Sequence, residues 1–571
     1  MLAVMTNLSD DWVDDAVNDV GGLDLLLSDA ALGVLRLLRP DASSVLRFGE
    51  ALARRPELVL RQAAGLGAEL GRIAIGQSAV TAGRRDRRFA DAAWTGNPVL
   101  RRVMQAYLAA SGSAESLLDG AELSWRDDTR LRFVLGNLVA AAAPSNNPVL
   151  NPVGWKALID TGGLSAVRGL RSLVSDLAVQ PRVPSMVAPD AFEVGRTLAV
   201  TPGAVVLRDP VFELLQYRPA GNLVYEYPLL IVPPMINKYY ITDLAPGRSM
   251  VQYLVEQGHQ VFVMSWRNPD ARHRSWNLDT YGGAVVSALE TVRSVTSAPK
   301  ASLCALCSGG IVSSMVAAHL QGQGTLASLF LGVTVLDQTR AGTAAAMVDP
   351  GTAAAAKAAS ATRGYLDGRA LAEMFAWLRP DDLVWNYWVN NYLQGQPPPA
   401  FDILYWNADT TRLPAALHHD FIDLGLANAL GTDSGSPTLL GTKVDLSAVD
   451  VDAYVIAAIA DHICPWQSCY RTTQLLGGSV KFVLSTSGHI AAMVNPPGSP
   501  KSRFRTSQPG VNPAAPEDFL AAAAEAPGSW WPDYSAWLGA RSGPRVPAPV
   551  RLGSADFPVL CAAPGTYVHD R

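Results

Sequence analysis

From about residue 205 onward, short unbroken apolar runs alternate with stretches in which apolar residues recur every three or four positions. Pro228–Ile236 reads as a buried strand, and Gln260–Trp266, Ala301–Leu306 and Leu329–Leu336 read as three more. Between them, Met250, Val251, Leu254 and Val255 share one helical face, with Gly258 placed as the C-terminal cap. Tyr281, Val285, Leu289 and Val292 mark a second helix, and Ile311–Leu320 a third. Two further strands, Ala453–Ala460 and Val480–Leu484, come much later. Strands alternating with helices imply a parallel, doubly wound α/β sheet.

Upstream the pattern changes. Residues 1 to about 80 read as helical, including a Leu-rich stretch from Leu23 to Leu38 that is closed by Pro40. Arg84–Phe89 is a knot of charge expected on a solvated face. Residues 90 to 200 are helical text broken by polar loops such as Ser145–Pro148. Between Asp337 and about Ser447 lies an insertion of more than a hundred residues. It opens with a helical stretch, Ala353–Ala361, and continues with the aromatic-rich Phe375–Leu393 and Phe401–Pro414. Its Trp and Tyr residues either form a core of their own or cover an apolar substrate site. The cover is the preferred reading, because long insertions in compact domains commonly serve as lids.

Composition narrows the class. A chain of 571 residues is long enough for one large domain and a second. Its formal net charge of −5 argues against a nucleic-acid binder, which would carry a basic face. Five cysteines, an odd and sparse set, do not make a disulfide framework and suit a reducing compartment. The first twenty residues hold Asp10, Asp11, Asp14, Asp15 and Asp19 and no basic segment leading into an apolar core, so no secretory signal is expected. No run approaches the ~20 apolar residues of a membrane span. Tyr227–Ile236 is short and broken by Pro233 and Pro234.

Candidate chemistry centres on "KASLCALCSGG", Lys300–Gly310. Cys304 and Cys307 spell C-x-x-C, the pattern of a redox dithiol. Such a motif opens a helix with its first cysteine exposed, whereas Cys304 falls inside an expected strand. The alternative is a nucleophile elbow, in which a strand ends, one strained residue turns, and a helix begins. Ala305-Leu306-Cys307-Ser308-Gly309 fits small-x-nucleophile-x-small, with Ala305 where Gly is usual. The following helix start would lower the thiol's pKa, and the Ser308 backbone N–H would face an oxyanion. In chain order the acid and then the His should follow late strands. Asp461 follows the first of them in "ADHICPW", and His489 follows the second in "SGHIAAMVNPPG". Asp337, at another strand end, is the second candidate for the acid. His462 competes with His489, and is read instead as structural or supporting. His418 and His419 are expected to face solvent or pack locally. No His, Cys or Asp grouping has metal-ligand spacing, and no phosphate-cradling loop is present. A cysteine nucleophile suits thioester exchange, which keeps the acyl group activated, and so favours acyl transfer over hydrolysis.

Long ordered stretches resemble the polyhydroxyalkanoate synthases, enzymes of the α/β-hydrolase superfamily. They include "FEVGRTLAVTPGAVVLRDPVFELLQYRP", "PLLIVPPMINKYYITDLAPGRSMVQYLVEQGHQVFVMSWRNPD", "CSGG", "FAWLRPDDLVWNYWVNNYL", "FDILYWNADTTRLPAALH", "ADHICPW", "SGHIAAMVNPPG" and "APGTYV". The likeness runs from about Phe89 to Val568. It implies a variable segment over 1–85, a helical region over 86–204, and an α/β-hydrolase catalytic domain over 205–571 with a lid at about 338–447. It implies an acyltransferase that polymerises (R)-3-hydroxyacyl-CoA into storage polyester and releases CoA, with Cys307 carrying the acyl group, His489 as base and Asp461 as its partner. A thioesterase or polyester depolymerase of the same fold is the alternative. No cofactor or metal is implied, the CoA thioester being the substrate. The expected partners are the growing chain, the granule surface with its associated proteins, and a second copy in a homodimer, in the cytoplasm. Monomer length stays open: "VNNYL" and Ser308 resemble the medium-chain class, and Ala491 the short-chain class.

Overall fold

The structure is a computed structural model that describes residues 42–571 apart from 85, 341–349, 433–435, 462 and 508–510. The expected helix over Leu23–Leu38 and the acidic residues before it lie outside the described residues. Two compact units are present, one from Pro189–Gly368 and Phe401–Arg571, the other from residues 42–188 with Arg369–Ala400.

The second unit is helical. Its helices are α1 (Ala42–Ala53), α2 (Pro56–Ala74), α3 (Pro98–Ala121), α4 (Trp125–Ala141), α5 (Pro152–Asp160) and α6 (Leu164–Ala178). Asn97, Ser124 and Asn151 cap α3, α4 and α5 with their side chains, and Pro98 and Pro152 occupy first-turn positions whose N–H would go unused. The Arg84–Phe89 knot is only partly solvated. Phe89 is buried against Trp94 and Met104, while Arg88 pairs with Asp86 at 2.8 Å and donates to the Tyr107 hydroxyl at 2.9 Å. The Phe375–Leu393 stretch supplies an edge-to-face chain of Trp377, Trp385, Trp388 and Tyr392. Trp388 donates to the Asn146 carbonyl at 3.0 Å and Tyr392 to Asp176 at 2.7 Å, so these rings are a packing core of the helical unit. The insertion is thus divided, its 369–400 part belonging to this unit and its flanks to the other.

The first unit is built on an 11-stranded sheet. Its strands are β1 (Gly203–Arg208), β2 (Phe212–Tyr217), β3 (Leu229–Val232), β4 (Val261–Trp266), β5 (Ala301–Leu306) and β6 (Leu326–Gly332), then β7 (Ala453–Ala458), β8 (Val480–Ser485), β9 (Arg503–Thr506), β10 (Ala524–Pro527) and β11 (Cys561–Ala562). The spatial order is β10-β9-β8-β7-β6-β5-β3-β4-β2-β1-β11. The six central strands, β4-β3-β5-β6-β7-β8, run parallel. Antiparallel strands extend the sheet at both ends. Helices α7 (Met250–Glu256), α8 (Leu278–Thr296) and α9 (Ser308–His319) join the central strands. Gly258, at φ +87°, ends α7, with the His259 N–H returning to the Leu254 carbonyl.

The expected α/β-hydrolase class therefore holds, with local corrections. The first central strand stops at Val232, because Pro233 and Pro234 have no N–H for the ladder. The strand expected at Leu329–Leu336 starts at Leu326 and ends at Gly332, where Val333 turns the chain at φ +44°. Of the insertion's flanks, α10 (Pro350–Arg363) and α11 (Ala415–Ala427) stay with the sheet unit. Among the described residues no helix is long and apolar enough to cross a membrane.

Candidate active site

Between the end of β5 and the start of α9 stands a single residue, Cys307, at φ +51°, ψ −121°. A non-glycine residue held there costs about 1–3 kcal/mol, so the surroundings must over-determine it. Its N–H donates to the Gly332 carbonyl at 2.9 Å, and its carbonyl accepts from the N–H groups of Gly310 at 2.9 Å and Ile311 at 3.3 Å. The small residues after it are sterically required. A Cβ on Gly309 would meet the Pro233 carbonyl oxygen at 2.5 Å, and one on Gly310 would meet Thr334 Oγ1 at 2.0 Å. Ala305 is accommodated in the buried core of β5. Ser308 opens α9, where the first N–H groups have no acceptor within the helix. Its hydroxyl accepts from the Met235 N–H at 3.0 Å and so ties the loop after β3 to the elbow.

Neighbouring parallel strands deliver the other two groups to the same sheet edge. Ala458 and Ser485 are register partners at the ends of β7 and β8. Asp461 follows the first, and His489 opens the short helix α12 (His489–Val494) beyond the second. Asp461 Oδ2 bonds His489 Nδ1 at 2.7 Å, while Oδ1 accepts from the N–H groups of Ile463 at 2.8 Å and Cys464 at 2.9 Å. The carboxylate is therefore fixed at both oxygens, and Nε2 of the ring is left for the thiol. The Sγ of Cys307, the Sγ of Cys464 and a ring nitrogen of His489 all lie within 4.8 Å of one another.

The electrostatics follow from these neighbours. Hydrogen bonding from Cys464 lowers the Cys307 pKa, burial opposes it, and His489 lowers it further. Burial disfavours a charged His489, but the Asp461 carboxylate and the Cys307 thiolate outweigh it and raise the ring's pKa. Both shifts favour a thiolate beside an imidazolium, the arrangement of an activated sulfur nucleophile with a proton carrier at hand.

Comparison with known proteins meets this geometry. The family model described as the poly-beta-hydroxybutyrate polymerase (PhaC) N-terminus matches residues 85–254, and the alpha/beta hydrolase fold matches residues 228–496. Poly(3-hydroxyalkanoate) polymerase 1 of Ectopseudomonas oleovorans is 43% identical over 536 residues, 94% of this chain and 95% of its own. The chain belongs to the poly(3-hydroxyalkanoate) polymerase family. The poly(3-hydroxyalkanoate) polymerase subunit PhaC of Cupriavidus necator is 40% identical over 509 residues, covering 87% of this chain and 85% of its own. Among solved structures, a hydrolase from Pseudomonas aeruginosa PA01 aligns with 52% of this chain and 93% of its own at 15% identity and a TM-score of 0.31. The sequence-based expectation of an enzyme of this family holds.

Within this polymerase-family fold the other candidates fall elsewhere. Cys304 is buried inside β5, where burial pushes its thiol well up. Asp337 is buried, but its carboxylate serves Thr339, Asn428 and Arg471 rather than His489. His418 is buried and bonds Ser360 at 2.8 Å, while His419 bonds the Lys357 carbonyl at 2.9 Å, so both pack locally on α10. His462 lies outside the described residues. The contact that sequence reasoning missed is Cys464. Its signal was a cysteine three positions after the acid, which the Asp461 side chain curls back over the site. The sequence spacing held no metal pattern, yet folding brings Cys307, Cys464 and His489 close enough to hold a metal ion.

Proposed function

We propose that this chain polymerises (R)-3-hydroxyacyl units, taken from their CoA thioesters, into polyhydroxyalkanoate. The observation that carries the reading is the Cys307–His489–Asp461 constellation on an elbow, in a chain 43% identical over 94% of its length to a poly(3-hydroxyalkanoate) polymerase. The Cys307 thiolate attacks the thioester carbonyl, and the Ser308 N–H stabilises the oxyanion. CoA leaves with the proton that His489 holds, and the acyl group stays on sulfur. His489, oriented by Asp461, then takes the 3-hydroxyl proton of the next unit, whose oxygen attacks the acyl-sulfur carbonyl and expels the Cys307 thiolate, which takes the lengthened chain back from the new unit's CoA. Thioester exchange onto sulfur is nearly balanced, so the chain stays activated between additions. In this reading part of the segment between β6 and β7 covers the site and limits water. The enzyme works as a homodimer at the surface of cytoplasmic granules.

Purified protein given (R)-3-hydroxybutyryl-CoA tests this. CoA release accompanied by insoluble polyester is expected, with Cys307→Ala abolishing both. CoA release with only free hydroxy acid overturns polymerisation in favour of a thioesterase.

A further inference from the structure

The dithiol that the sequence spells at Cys304 and Cys307 is not the one the fold builds. Cys304 lies within β5, and its thiol faces Tyr534. The thiol brought against Cys307 belongs to Cys464, 157 positions further along the chain, and the two Sγ atoms lie within 4.8 Å. All five cysteines are free thiols. Cys469 donates to the Cys464 carbonyl at 3.8 Å, and Cys561 lies beside Arg208 on the edge strand β11.

We propose that Cys307 and Cys464 form an oxidisable pair, in which hydrogen peroxide oxidises Cys307 and Cys464 then closes on it as a disulfide. The Cys307 thiolate attacks one peroxide oxygen, the O–O bond breaks, and with one proton the products are Cys307–SOH and water. The oxidant is reduced by two electrons. Cys464 sulfur then attacks the sulfenic sulfur, forming the S–S bond and breaking S–O. The departing hydroxide takes the Cys464 proton and leaves as a second water.

Three features favour this course. Cys307 has the thiolate character that peroxide requires, and a neighbouring thiol is the usual means of resolving a sulfenic acid. The Cys464 thiol is held protonated chiefly by its bond to the Cys307 thiolate, together with burial. Oxidation of Cys307 removes that negative charge, so the resolving thiol becomes easier to ionise at the step that needs it. The His489 ring, within 4.8 Å of both sulfurs, is placed to pass the Cys464 proton to that departing hydroxide. Cys464 also lies in a bend between β7 and the short helix Trp466–Tyr470, outside any ladder that would hinder closure to the ~2.05 Å of an S–S bond. The disulfide would shield the elbow thiol from irreversible oxidation and hold the enzyme in a recoverable, inactive form.

The test uses the reduced, chelator-treated full chain with two equivalents of hydrogen peroxide per chain, followed by alkylation and peptide mass mapping. The expected result is loss of two of the five titratable thiols, a mass lower by about 2 Da, and a Cys307–Cys464 cross-linked peptide that dithiothreitol separates. Cys304→Ala should form the same cross-link. Cys464→Ala and the near-isosteric Cys464→Ser should instead gain about 32 Da at Cys307 as sulfinic acid, which dithiothreitol does not reverse. Wild-type protein that gives sulfinic acid with Cys464 free, or links Cys307 to Cys304 or Cys469, overturns the proposal. The mapping needs no substrate, so its outcome is separate from that of the polymerisation assay.

Discussion

At the scale of single residues, the charge on Cys307 is a shared property. Its pKa is pulled down to about 6 by Cys464 and His489 against burial, and that of His489 is pushed up to about 10 by Asp461 and the thiolate against burial. Between those limits the thiolate–imidazolium pair is the populated state. Alkylation of Cys307 by iodoacetamide should therefore hold its rate from pH 9 down to about 7, fall to half near 6 and drop further below that. In His489→Gln the midpoint should move up by about one unit or more, since an opposite charge within hydrogen-bonding reach is worth that much. A midpoint that stays near 6 in the variant would show that the imidazolium plays no part. Cys307, Asp461 and His489 were readable from the sequence because each stands just past a run of apolar residues that had to be a strand. Cys464 was not, because its approach to Cys307 depends on the turn that Asp461 Oδ1 imposes by accepting two backbone N–H groups.

At the scale of elements, the elbow depends on how closely α9 approaches the loop after β3. Gly309→Ala would place a methyl 2.5 Å from the Pro233 carbonyl, a backbone atom that cannot rotate away. The expected cost is about 1–3 kcal/mol, read as a lower midpoint in thermal unfolding. The strands that the sequence hid are instructive too. Every residue of β2 is buried, yet its run is broken by Glu213 and Gln216, which masks the strand pattern. Their polar ends are satisfied mainly by distant chain: Glu213 by Thr566 and the Tyr567 N–H, besides the neighbouring Arg208, and Gln216 by the Gly553 N–H. Glu213→Ala would strand the Thr566 and Tyr567 N–H groups, at about 1–3 kcal/mol for each buried group left unpaired. Limited proteolysis should then cut within 553–571 faster than in the unaltered chain.

At the scale of the whole molecule, stability should carry the mark of His259. Its ring is buried, stacks on Tyr225 at 4.8 Å and bonds Ser535 at 3.2 Å. Burial, helped by the nearby Arg545 charge, lowers its pKa to about 4 in the folded state. The unfolded ring binds its proton near pH 6.5, so the unfolded state takes up more protons as the pH falls. The contribution is thus fully present above pH 6.5 and is lost on the way down to about 4. Between pH 6.5 and 5 the loss is about 2 kcal/mol, and His259→Asn should flatten that part of a melting-temperature profile. The sequence by itself determined the alternating strands and helices, the elbow and the chain order that sets Cys307, Asp461 and His489 each just past a strand. These follow from local periodicity and from residue types that only one backbone geometry accepts. Tertiary structure alone decided the polar flanking strand β2, the division of the insertion between two units, and the meeting of Cys307 with Cys464. In each case partners far apart in the chain satisfy a buried group, and no local window of sequence contains both.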